Sequence, residues 1–148
     1  MTTIFEKIIA GEWPGKFVYA DDLCVVFATK APIRPGHVLV VPREVHDAWT
    51  DMPEDLAAHL MKVGHRIGKA QLGVYECTRI GLEIAGFEVP HAHLHVIPLR
   101  DENDLVLAEA TEVSERVLES TMQALRSALE EQGHEANVPL TIDSPALS

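Results

Sequence analysis

The sequence predicts an α+β domain built on a mainly antiparallel sheet of about five strands, with one long central helix and a C-terminal helix. Three observations carry this. Short β-branched or aromatic runs alternate with turn residues, one stretch between them repeats apolar residues at three- and four-residue steps, and a second such stretch comes near the end. Phe17-Val18-Tyr19-Ala20 and Leu23-Cys24-Val25-Val26-Phe27-Ala28 flank Asp21-Asp22, so they are expected to pair as a hairpin. The turn-prone Ala31-Pro32-Ile33-Arg34-Pro35-Gly36 leads into His37-Val38-Leu39-Val40-Val41, a continuous apolar run stopped by Pro42 that suits a central strand. Over 53–72, Leu56, Leu60, Val63 and Ile67 share one helical face, with Pro53 in the first turn and Asp51 as a cap. Strands are expected over 78–85, where Ile80, Leu82 and Ile84 alternate, and from Pro90 or His91 to Pro98. A last helix over 111–132 carries Val113, Val117, Met122, Leu125 and Leu129 at helical spacing until Gly133 ends it. Residues 1–133 therefore read as a single domain, and 134–148, rich in small, polar and proline residues, as a C-terminal tail.

At 148 residues the chain has the length of one ordinary domain and needs no covalent staples. Cys24 and Cys77 lie far apart and form neither a disulfide framework nor a Cys-x-x-Cys half-site, which points to a reducing compartment. With no leader-like N-terminus and no apolar run of spanning length, the expectation is a cytoplasmic protein that engages no membrane. The net charge of -11 argues against nucleic acid as a partner, because that needs a basic footprint to displace counterions. Acidic residues concentrate after residue 100, whereas Lys16, Lys30, Arg34, Arg43, Arg79 and Arg100 do not, so a local cationic pocket for a small anion is compatible with the overall charge.

The most informative motif is His91-Ala92-His93-Leu94-His95. On a strand, alternate residues share a face, so the three rings would line up while Ala92, Leu94 and Val96 turn to the core. A metal site is one reading of such a row, with His91 and His93 as ligands and His37 as the candidate third. His91 and His95 are separated by roughly 13 Å of extended chain, and no carboxylate or cysteine stands nearby at metal-site spacing, so neither metal nor cofactor is expected. Phosphorus chemistry suits a spread row better. Substitution at a phosphate or phosphoramidate needs an in-line nucleophile, donors for the non-bridging oxygens and a proton for the leaving group, and neighbouring imidazoles supply all three. The attacking ring must be neutral, its other nitrogen held as a donor, and attack leaves a phosphorus–nitrogen bond that divides hydrolysis into two displacements.

These residues closely resemble the histidine-triad (HIT) family, whose signature His-x-His-x-His followed by two apolar residues is matched at every position of 91–97. Ala85-Gly86, Val89-Pro90 and Pro98 around the run, Pro35-Gly36-His37-Val38-Leu39-Val40-Val41-Pro42 upstream, and Ile8-Ile9-Ala10-Gly11-Glu12 near the start extend the resemblance over about residues 4–100. It implies a HIT-like fold and a hydrolase or nucleotidyl transferase acting on a phosphoanhydride or phosphoramidate bond of a small nucleotide-type substrate. His93 would be the nucleophile, His95 would contact the phosphate and assist proton transfer, His91 would orient the row, and His37 would support it from the adjacent strand. Phe5, Ile9 and Phe27 match positions lining the nucleoside pocket. A homodimer with sheets joined edge to edge is implied as well.

Departures from the pattern are equally specific. Thr3 and Glu6 stand where many bacterial relatives carry zinc-binding cysteines, so no such zinc is expected, and His46 falls one residue late and reads as a surface residue. Thr29 stands where relatives place an aspartate on the ribose hydroxyls. Arg79-Ile80-Gly81 and Gly86-Phe87 replace amide-bearing elements, leaving Arg79 as a candidate phosphate clamp and Glu88 as a partner for a histidine or a turn cap. A catalytically weak, nucleotide-binding regulatory protein is the alternative these losses suggest.

Overall fold

In the computed structural model, which describes residues 2–148, five antiparallel strands form one sheet. Strands β1 (Phe17–Ala20), β2 (Cys24–Ala28), β3 (Val38–Pro42), β4 (Arg79–Glu83) and β5 (Leu94–Leu99) lie in the order β1-β2-β3-β5-β4. The predicted α+β class, the hairpin and the central place of β3 are all found.

The hairpin closes because the Asp21 side chain folds back: its Oδ1 accepts from the backbone N–H of Leu23 and of Cys24, each at 2.8 Å. Pairing then runs Phe17 with Phe27 but Tyr19 with Val26, which inserts one extra residue in β1. This bulge turns both Val18 and Tyr19 toward the same core.

Alternation along β2 and β3 divides the interior in two. On one face, helix α2 (Glu54–Val74) contributes Leu60, Val63 and Ile67, and helix α3 (Glu115–Leu129) contributes Met122, Leu125 and Leu129, against Val26, Val40, Leu94 and Val96. On the other, helix α1 (Ile4–Ile9) lays Phe5 and Ile8 over Phe17, Val25, Phe27, Leu39 and Val41. Both strands are therefore covered on both faces, which is why their sequences read as unbroken apolar runs.

Several boundaries move, each for a local reason. Helix α1 was not read from the sequence, although Thr3 and Glu6 form a reciprocal capping box with the spacing that announces one. Asp51 does not cap α2: it lies in a short 3-10 turn, Trp49–Asp51, and Pro53 is itself the residue before the first turn, its carbonyl accepting from Ala57 N–H at 3.1 Å. Helix α3 begins late because Ser114 caps it, its hydroxyl accepting from Val117 N–H, and it gives way at Glu130 to a wider turn ending near Gly133 at φ 89°.

The chain after Gly133 packs against the domain. Val138 and Ile142 are buried in the helix-side core, and Phe17 N–H donates to the Ile142 carbonyl at 2.7 Å. Buried Arg126 on α3 donates to the carbonyls of Phe17 at 2.9 Å and Pro139 at 2.8 Å. A guanidinium with several donors satisfies backbone that composition alone marks as loose.

Gly36 has φ 92°, and a Cβ there would run into the Tyr75 ring. Gly36→Ala is expected to cost about 1–3 kcal/mol through backbone strain and overpacking, read as a lowered urea midpoint with an unchanged slope.

Candidate active site

His95 is the one member of the row that lies on a strand, opposite Leu39 of β3 and Glu83 of β4. Its neighbours Leu94 and Val96 point into the helix-side core, so its ring rises on the α1 side of the sheet. His91 and His93 precede β5 instead of belonging to it, contrary to the expected strand from Pro90 or His91. The chain turns through His91 N–H to Val89 O at 2.7 Å, and Ala92 N–H donates to His46 O at 2.7 Å, so this stretch has backbone partners outside the ladder. Nor is the row an open polar face: His91 is 0% exposed, His37 2% and His93 6%.

Burial makes the hydrogen bonds decisive, and they fix the tautomers. A carbonyl only accepts, so His93 Nδ1–H donates to His91 O at 2.8 Å and His93 Nε2 is left with its lone pair. His91 Nε2–H donates to Pro42 O at 2.7 Å, which makes His91 Nδ1 the acceptor of the Thr3 hydroxyl at 2.8 Å. Ile33 N–H donates to His37 Nδ1 at 3.1 Å, so His37 Nε2–H donates to His95 Nδ1 at 2.9 Å, and the His95 proton sits on Nε2. The rings of His93 and His95 lie 4.8 Å apart. One ring offers a bare nitrogen and its neighbour offers an N–H.

Thr3 and Glu6 hold each other: Thr3 N–H donates to Glu6 Oε1 at 2.9 Å and Glu6 N–H to Thr3 Oγ1 at 3.2 Å. With these groups engaged and both nitrogens of His91 in hydrogen bonds, this corner does not fit a structural zinc. His46 pairs with exposed Glu44 and lends the row only its carbonyl.

Desolvation holds all four rings neutral. Burial, with the neighbouring His95 and His93, pushes the His37 pKa down to about 3, and burial with His93 pushes that of His95 to about 4. His93 and His91 are lowered for the same first reason. Protonated His37 would set an N–H against Ile33 N–H, and protonated His95 would set one against His37 Nε2–H. Below the ordinary imidazole pKa of about 6.5 the unfolded chain takes up protons that the folded chain refuses, so stability should fall as pH drops from about 6.5 toward 4. His37 and His95, the two rings pushed furthest down, each contribute up to about 1.4 kcal/mol per pH unit in that window, whose upper part, above about pH 5, lies clear of most carboxylate titration. Urea unfolding across pH 4–7 checks this, and a flat profile would contradict it.

Beside the row lies a cleft of about 490 Å³ whose walls include Phe5, Ile8, Trp13, Phe27, Leu39 and Val113. Phe5 joins the two, its ring edge-on to that of His93 with centroids 4.8 Å apart. Thr29, Lys16 and Lys30 also border the cleft, though Lys16 is already held by Asp143 at 2.6 Å and Glu115 at 3.1 Å. Of the residues expected from sequence, Phe5, Phe27 and Thr29 line this cleft. Ile9 does not; it packs at the edge of the α1-side core, while Ile8 takes the lining place. Arg79 is exposed and pairs with Leu99 at the far end of β4, about 13 Å of strand from the level of His95, so it clamps nothing there. Glu88 is exposed in the loop before His91, and its charge raises the His93 pKa slightly against burial.

Gln71 was not anticipated. Fully buried on α2, it donates to Gly36 O at 2.9 Å and to Val96 O at 3.0 Å, the residues adjoining His37 and His95. A polar residue inside the apolar stripe of a helix was the available signal. Thr3 and Ile33 gave none, since their roles exist only through chain folding.

Known proteins share this sequence pattern and fold. Residues 10–102 match the HIT domain. An uncharacterised HIT-like protein of Methanocaldococcus jannaschii is 32% identical over 127 residues, covering 83% of this chain and 98% of that one. Another, from Mycobacterium tuberculosis strain H37Rv, is 33% identical over 138 residues, covering 89% and 96%. Among solved structures, a zinc-bound histidine triad family protein from Mycobacterium smegmatis superposes with a TM-score of 0.77 at 27% identity, covering 90% of this chain and 96% of that one. A Hit-like protein involved in cell-cycle regulation from Bartonella henselae gives 0.76 at 26%, covering 86% and 96%. With the histidine row, its supporting fourth histidine and the five-stranded sheet all present in one chain, the protein belongs to the HIT-domain family.

Proposed function

We propose that this chain is a hydrolase or nucleotidyl transferase that cleaves a phosphoanhydride or phosphoramidate bond of a nucleotide-type substrate through a covalent intermediate on His93. The observation that carries the reading is the His93 Nδ1–H bond to the His91 carbonyl at 2.8 Å, which leaves Nε2 unprotonated in a ring that burial keeps neutral. Nε2 attacks phosphorus in line, a phosphorus–nitrogen bond forms, and the leaving group departs with the electron pair of the bond it loses. Positive charge gathers on the His93 ring, where the His91 carbonyl accepts the remaining N–H and stabilises it. His95 Nε2–H donates to a non-bridging oxygen. Because its other nitrogen already accepts from His37, full loss of that proton would leave an imidazolate, so His95 serves as a hydrogen-bond donor and an amine leaving group takes its proton from solvent. Water, or an acceptor hydroxyl in a transfer, then displaces His93, releasing one proton to solvent.

The test is incubation with a panel of nucleoside phosphoramidates and dinucleoside polyphosphates, with mass spectrometry of the quenched protein. A nucleotidyl adduct on His93 is expected; no turnover and no adduct across the panel would overturn the reading. Thr29 at the cleft favours a second reading, a nucleotide-binding regulatory protein, because one hydroxyl replaces the charged group that would grip vicinal hydroxyls. Thermal stabilisation by ligand without turnover, unchanged in His93→Ala, would select it.

We read the working form as a cytoplasmic homodimer. The two free cysteines suit a reducing compartment. Strand β4 is a sheet edge with Leu82 39% exposed, the kind of strand a second copy covers. Light scattering is expected to give twice the chain mass of 16.3 kDa.

A further inference from the structure

The helix side of the sheet, opposite the histidine row, carries a cluster that the proposed reaction does not use. Asp21 in the β1–β2 turn, Cys24 at the start of β2 and His59 on α2 each present one ligand atom, and the three lie within 4.8 Å of one another, the single such group among the described residues. We propose that Asp21, Cys24 and His59 form a binding site for one divalent cation of zinc type, held by a carboxylate oxygen, a thiolate and an imidazole nitrogen.

The donor set is the first argument, because sulfur and imidazole nitrogen with one carboxylate oxygen suit zinc and suit calcium or magnesium poorly. Preorganisation is the second. Asp21 Oδ1 is held by two backbone N–H groups, one of them that of Cys24 itself, which leaves Oδ2 turned to His59 Nε2 at 2.7 Å. The ligands are thus fixed by the turn before any ion arrives. Charge is the third: one carboxylate and one thiolate neutralise a dication, so a site in which the Cys24 side chain is wholly buried acquires no net charge. The Asp21 and His59 side chains keep 16% and 23% exposure, enough for an ion to enter and for water to complete a tetrahedron. Arg43 is the cation facing the cluster, and its Nε–H donates to the Asp21 backbone carbonyl at 2.9 Å and not to the carboxylate. Arg66, the next cation, is bonded to the Tyr19 hydroxyl at 2.8 Å.

Without metal the cluster is hydrogen-bonded, and burial together with the Asp21 charge raises the thiol pKa, keeping Cys24 protonated. On binding, the thiol proton leaves to solvent, His59 carries its ring proton on Nδ1 and ligates through Nε2. The 2.7 Å between Nε2 and Oδ2 opens to roughly 3.3 Å, the span of two tetrahedral positions at about 2.0–2.1 Å from zinc. The ion then ties the hairpin turn to α2 and acts on stability, independently of His93.

The experiment uses the full chain, purified without an affinity tag, stripped with chelator and titrated with zinc alone, and with cobalt as a spectroscopic probe. Expected are one equivalent of bound zinc, a raised Tm, and a thiolate-to-cobalt charge-transfer band. Cys24→Ser should lose the band, and His59→Gln, whose side chain is partly exposed and compatible with folding, should lose stoichiometric binding, while His93→Ala keeps both. Failure of the wild-type chain to bind an equivalent, or binding that survives His59→Gln and is lost in His93→Ala, overturns the proposal. Because the readouts are metal content and Tm, they stand whether or not the protein turns over a nucleotide.

Discussion

His93→Ala is expected to lower turnover by about 10⁴-fold or more and to abolish the covalent adduct, because removing a nucleophile removes the whole two-step route and leaves only binding and oxyanion stabilisation. Single-turnover kinetics and intact-protein mass spectrometry measure both. The fold should survive. The His93 ring contributes one hydrogen bond to its own neighbour's carbonyl and edge contacts to Phe5, so its removal costs stability on the order of 1–2 kcal/mol, within what a domain tolerates. Near-wild-type Tm with lost chemistry is the expected signature. A collapsed fold would mean the ring serves packing, and retained turnover would place the attack elsewhere. His95→Ala should behave differently: the nucleophile stays, so the adduct still forms, more slowly by about 10²–10³-fold because one donor to the phosphoryl oxygens is gone.

Much of this site could be read from sequence because strand periodicity and a compact motif carry it. The runs at 17–20, 23–28 and 37–41 announced a hairpin and a central strand, and the sheet holds the three as neighbours, with β1 at one edge and β3 in the middle. Two kinds of feature were hidden. The first is long-range polar pairing: Thr3 meets His91, Arg126 meets Phe17 and Pro139, and nothing local in either partner announces the other. That is why residues 134–148, loose in composition, are fastened down. The second is the local competitor to a pattern. Alternation across 91–95 argued for one strand, yet the turn from Val89 to His91 and the Ala92 bond to His46 divert the first three residues from the ladder. Arg79 illustrates the same limit, since register with Leu99 sets it far from the histidines despite its nearness in sequence.

Gln71→Leu should damage both stability and rate without touching substrate. The side chain is wholly buried on α2, and its two N–H bonds hold the carbonyl of Gly36, just before His37, and that of Val96, just after His95. Leucine fills similar volume but donates nothing, and each carbonyl left without its partner costs about 1–3 kcal/mol. The loss is partly offset because the Gln71 Oε1 is buried without a partner, and leucine removes that burden. A net destabilisation of about 2–4 kcal/mol is expected, read from urea unfolding. The kinetic effect follows from geometry. The His37 Nε2–H bond to His95 Nδ1, at 2.9 Å, sets the His95 tautomer, and both backbones that carry these rings are steadied by the same amide. Freed of it, they shift, the His95 N–H leaves its aim, and kcat should drop by about 10–10²-fold, as displacements near 1 Å commonly produce, while KM changes little because the cleft residues stay where they were. Assays well below the variant's Tm separate this from unfolding. If kcat is unchanged in a fully folded Gln71→Leu protein, the amide serves stability alone and the row is aligned by β3 and β5 themselves.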